Sequence, residues 1–171
     1  MAANPNWTRW IFASLALHLR EIADANDLPA LVDHSDDRSA SFMDATDRAE
    51  IRITGPHIRE RSRGDFYVRV EVSVLLSSRY DGQLKNALEI HRFAGLFQEA
   101  LTLPIPVWNY GAESGDFVEG QPATQLKLGC LETVEREPVR VFHFGQIHET
   151  DKLKQTAVDA KLQMELTVGG S

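Results

Sequence analysis

The densest group of potential metal ligands in the chain is Asp33-His34-Ser35-Asp36-Asp37. Aspartate and histidine bind divalent metals. A calcium loop, however, needs a glycine at its sixth position and a glutamate at its twelfth, and this run has neither. It reads as a polar loop. His143 and His148 lie five apart on an expected strand, so they point to opposite faces and cannot share a ligand without a bulge. His18 and His91 fall beside the apolar stripes of expected helices and read as partly buried packing residues. The single cysteine, Cys130, excludes an internal disulfide and a multi-cysteine metal site. Beside Gly129, on the expected buried face of a strand, it reads as a small inert hydrophobe. Neither a Gly-x-Ser-x-Gly elbow nor a Gly-x-x-x-x-Gly-Lys phosphate loop occurs. These residues point to no catalytic constellation, no metal and no cofactor.

Two other groupings carry charge rather than chemistry. Arg52, Arg69, Glu71, Asp159, Lys161, Gln163 and Glu165 fall on one face of the expected strands, with Tyr67, Phe142 and Phe144 among them. An antiparallel sheet tolerates a solvated face of this kind. The clustered aromatics favour the sharper reading, a subunit interface or pore lining whose mixed charges set register. The stretch His57-Ile58-Arg59-Glu60-Arg61-Ser62-Arg63 brings Arg59, Arg61 and Arg63 to an exposed hairpin tip. Three arginines there would suit phosphates. Glu60 and Asp65 interrupt them, which leaves a solubilising loop or an intersubunit arm as the other readings.

The elements that must position these residues follow from periodicity. Trp7, Ile11, Leu15, Leu19 and Ile22 mark an amphipathic helix over 7–24, with Asn6 as its N-cap and Pro29 beyond its end. Residues 33–47 are polar and read as a loop. Ala49, Ile51 and Ile53 alternate with polar residues in a short strand stopped by Gly55-Pro56. Phe66, Val68, Val70, Val72, Val74 and Leu76 define a long half-buried strand over 66–76, paired antiparallel with 49–54. Leu84, Ala87, Leu88, His91, Ala94, Phe97 and Leu101 predict a second helix over 83–101, ended by Pro104 and Pro106. Residues 107–123 read as a long irregular loop. Strands follow at 124–132, 138–148 and 157–168, the first with Leu126, Leu128 and Cys130 inward. Strands that arrive as hairpins and a meander predict an α+β domain: a largely antiparallel five-stranded sheet with two helices packed on one face.

The chain has 171 residues and a formal charge of -7, with 25% charged and 43% hydrophobic residues. One domain over 1–171 is expected. The acidic balance argues against coating nucleic acid or an anionic membrane. No apolar run approaches the ~18 residues of a membrane span, and the opening MAANPNWTRW lacks the pattern of a secretory leader.

Several strings resemble a family. Asn4-Pro5-Asn6-Trp7-Thr8-Arg9-Trp10-Ile11 resembles the start of a group of tailed-bacteriophage virion proteins. So do Ala49-Glu50-Ile51-Arg52-Ile53-Thr54-Gly55-Pro56, the long strand after it, and the helix beginning near Gln83. The likeness extends loosely to Tyr110-Gly111 and Gly129-Cys130-Leu131. The chain looks like a neck or tail-terminator protein. That resemblance implies a helix, a hairpin, a second helix and a terminal strand group around one sheet. It implies a non-enzymatic virion subunit, made in the host cytoplasm, that forms a homo-oligomeric ring, commonly a hexamer. The ring caps the tail tube, meets neighbouring neck and tail-tube proteins, and lets DNA through without specific binding. Tyr67, Arg69, Glu71, Phe142 and Phe144, with Arg59, Arg61 and Arg63, are then the expected interface. The alternatives are another neck or tail-tube component, or a small-ligand-binding or enzymatic domain with His18, His91 or His143 at a pocket wall.

Overall fold

The computed structural model describes residues 3–32, 39–79, 84–110, 127–146 and 152–168. Asp33-His34-Ser35-Asp36-Asp37, His148 and residues 111–123 of the expected long loop lie outside the described residues. The elements in chain order are α1 (Trp7–Asp24), β1 (Ala30–Val32), α2 (Ala40–Asp44), β2 (Asp47–Ser62), β3 (Asp65–Arg79), α3 (Leu84–Thr102), β4 (Ile105–Trp108), β5 (Lys127–Thr133), β6 (Arg140–Gln146) and β7 (Leu153–Thr167).

The apolar stripe of α1 does what its spacing predicts: Trp7, Trp10, Ile11, Leu15 and Leu19 are all buried. Asn6 holds the N-cap position but its side chain caps nothing. Its N–H instead donates to Asn4 Oδ1 at 2.9 Å. The alternation of β3 is equally literal, with Phe66, Val68, Val70, Val72, Val74 and Leu76 buried. β7 pairs with it antiparallel along its whole length, from Asp65↔Thr167 to Arg79↔Leu153. The helices α1 and α3 pack on the face that Val68, Val70, Val72, Leu162, Met164 and Leu166 present, and their buried side chains join one apolar cluster.

The sheet itself corrects the expectation. Among the described residues it is a curled, mixed sheet of seven strands with three helices, not five antiparallel strands with two helices. The order is β1-β2-β3-β7-β5-β4, with β6 also on β7. The missed pieces are short. β1 has three residues, too few to show a period, and pairs in parallel with Ala49–Ile51 of β2. α2 is a single turn, started by Ser39 Oγ accepting the Phe42 N–H at 3.3 Å and anchored by buried Phe42. β4 begins straight after Pro104 and contains Pro106, read as breakers. A proline is tolerated there because β4 ends the strand order.

β2 also runs further than expected, through Gly55-Pro56 to Ser62, so the charged stretch 57–62 is strand rather than turn. The peptide bond at Gly55-Pro56 is cis and Gly55 has φ +103°. A Cβ at Gly55 would lie 3.0 Å from the His57 nitrogen and 3.1 Å from the Arg69 carbonyl, so both its φ and its surroundings require glycine. The register shifts there and resumes at His57↔Arg69. In β5 strict alternation holds only in part: Leu128 packs half-buried against the core, but Cys130 is only half-buried and Leu131, expected outward, is buried, while Leu126 lies outside the described residues.

Candidate interface on the outer sheet face

β5 and β6 are two halves of one edge along β7. Glu132 and Thr133 pair with Gln163 and Leu162, and the Val134 N–H donates to the Lys161 carbonyl at 2.9 Å. Pairing resumes at Arg140↔Asp159. Residues 135–139 between them leave the edge, and Arg136 takes a positive φ of 66° in the excursion. The excursion brings Glu137 to the sheet face opposite the helices. Arg69 Nη2 donates to Glu137 Oε2 at 2.6 Å, and Lys161 Nζ stands 3.4 Å from the same oxygen. Arg69 is on β3 and Lys161 on β7, so one carboxylate ties the excursion to two strands.

Partial burial works to raise the Glu137 carboxyl, but hydrogen bonds and charge from Arg69 and Lys161 outweigh it and hold the group below its ordinary value. At the far end of the ribbon, Asp65 is lowered by the hydroxyls of Ser62 and Thr167, at 2.6 and 3.1 Å, with Arg61 adding its charge against some desolvation. Between them the Tyr67 hydroxyl donates to Gln163 Oε1. Arg61 meets Glu165 at 2.8 Å, with both side chains about 70% exposed, so that pair adds little stability.

A cavity of about 260 Å³ opens on the same face, between the excursion (Glu137, Pro138) and β6 (Arg140, Phe142), over Ser73 and Asp159. Among the described residues, Asp159 Oδ1 is buried there without a hydrogen-bond partner. Phe142 is 41% exposed and Phe144 57%.

The expected interface residues therefore separate. Tyr67, Arg69 and Glu71 share the outer face of β3, and the register sets Arg59 opposite Tyr67 and Phe142 opposite Ala157 on that face. Arg69 is engaged by Glu137. Phe144 sits in a register shift between His143 and Gly145, so strict alternation does not place it. Arg61 leans on Glu165, and Arg63 occupies the exposed turn at the hairpin tip. Glu137 was not singled out. Its run, Glu135-Arg136-Glu137-Pro138, carries only the signature of a turn.

Of the histidines named for a ligand pocket, two come together and His18 lies in a different cavity. His91 and His143 touch edge-to-face with centroids 4.5 Å apart, both exposed, and His143 Nδ1 is 3.0 Å from Thr156 Oγ1. His18 lines a cavity of about 160 Å³ with Ser14, Glu21, Trp108 and Tyr110. That is well below the ~300–1,000 Å³ of a small-molecule site. Among the described residues no cluster of three or more metal-ligating side chains forms, and no helix is long and apolar enough to cross a membrane. No family model matches the chain, and no curated protein matches it.

Proposed function

We propose that this chain is a structural, non-enzymatic virion protein of a tailed bacteriophage, a neck or tail-terminator subunit. It assembles as a homo-oligomeric ring, a hexamer, that caps the tail tube and joins it to the neck, and DNA passes through without specific binding. The observation that carries this reading is the side of the sheet that no described element covers. β3 and β7 run 15 residues each, roughly 50 Å of ribbon. The two long helices pack on one side of it, while the other side carries mixed charge and exposed Phe142. Phe144 is exposed on the adjoining edge strand. Exposed aromatics rimmed by charge suit a protein contact. The order helix, hairpin, helix, strand group agrees with what the resemblance implies, and an acidic chain suits a channel through which DNA must slide.

The test is native mass spectrometry over a concentration series, imaging for a central hole, and co-sedimentation with isolated tail tubes. A ring that binds tubes is expected. A chain that stays monomeric at high concentration and ignores tubes overturns the reading.

A further inference from the structure

We propose that Arg63, at the β2–β3 tip of one copy, enters the outer-face cavity of the next copy between Phe142 and Asp159. This rests on the ring reading and names its contact. The cavity, at about 260 Å³, is smaller than a typical small-molecule site and of a size for one or two side chains. Its walls are built for a guanidinium. Asp159 Oδ1 is a buried acceptor with no donor among the described residues, Glu71 adds an exposed carboxylate, and Phe142 puts an aromatic ring in the lining, against which a planar cation packs well. Two cations also line the cavity. Lys161 is drawn to Glu137, and Arg140 is an exposed residue of β6. The lining thus holds three carboxylates (Glu71, Glu137, Asp159) against those two.

The tip supplies the complement. Arg61 is engaged by Glu165, whereas Arg59 and Arg63 are exposed and make no ion pair among the described residues. A copy cannot serve itself: Arg63 sits in the turn, and the strand from Asp65 to Ser73 at the cavity floor spans eight residue steps, roughly 26 Å. Tip into cavity is a head-to-tail contact, with two different patches on each copy, which is the kind that closes rings.

The experiment uses the full chain and two disabled forms. Arg63→Glu lacks the tip charge but keeps the cavity, and Glu71→Arg keeps the tip but spoils the cavity. Asp159→Asn is a second cavity variant should Glu71→Arg fail to fold by circular dichroism. Each alone should raise the concentration needed for assembly roughly tenfold or more in sedimentation velocity. Mixed, they should assemble together where neither does alone, because the unchanged tip of the Glu71→Arg form fits the unchanged cavity of the Arg63→Glu form, and the reversed tip of the latter meets the reversed cavity of the former. Arg63→Glu with Glu71→Arg in one chain should recover assembly. A parent that assembles beside single variants that assemble equally well, or a mixture that assembles no better than either variant alone, overturns this contact and leaves the ring reading standing. A parent that never assembles overturns both.

Discussion

Glu137 ties the 135–139 excursion, which leaves the edge of β7, to β3 through Arg69 and to β7 through Lys161. Its carboxyl titrates lower in the folded chain than in the unfolded one, so the unfolded chain binds the proton more readily. The stabilisation is therefore complete above the ordinary value of 4.5 and is lost as pH falls through the lower folded value. Thermal melts of the parent and Glu137→Gln should differ near neutral pH, with the parent higher, and the gap should shrink once the pH drops below that ordinary value. A gap that stays constant down to pH 3 would mean the ion pairs contribute nothing. Arg69→Glu would set a carboxylate against Glu137 and loosen the excursion, so it is a poor probe of any contact between subunits.

At the scale of elements, the hairpin turn depends on Gly64, whose φ is +88°. A Cβ there would meet only the Val168 carbonyl oxygen at 4.0 Å, so the cost of Gly64→Ala is conformational rather than steric. Denaturant melts should show a loss of about 1 kcal/mol; no loss would mean the turn relaxes to another form. What could be read in advance follows from length and regularity. α1, β3, α3 and β7 are long enough for their period to dominate, and their faces follow directly. β1 and α2 are too short to carry a period. Pro104 and Pro106 punctuate correctly for a helix end yet conceal a strand at the end of the sheet. Gly55-Pro56 looks like a stop, but the chain shifts register there and continues. Alternation assigns Phe142 correctly and fails for Phe144, because the irregularity after His143 is a pairing event that one strand's own residues do not encode. The bond from Glu137 to Arg69 joins residues 68 apart in sequence and leaves no local trace.

At the scale of the molecule, the shared core and the uncovered face should respond differently. Leu162 is fully buried on the central strand β7, and Leu162→Ala should cost about 2–5 kcal/mol in denaturant unfolding. A value near zero would mean that the Leu162 side chain does not face the core, since even complete collapse of the cavity leaves the lost transfer free energy. Phe144→Asp should leave the melt within about 0.5 kcal/mol of the parent, since the ring is 57% exposed, while weakening association. Equal sedimentation of variant and parent would remove Phe144 from the contact. The pairing of β3 with β7 also sets the timing of folding. Asp65 meets Thr167, so the middle of the sheet closes a loop of about a hundred residues. During synthesis the β2–β3 hairpin emerges long before β7 and must wait with one edge and one apolar face open. Folding should be slow for a chain of this size, and the nascent hairpin is the stage at which chaperone capture or misassociation competes with the native pairing.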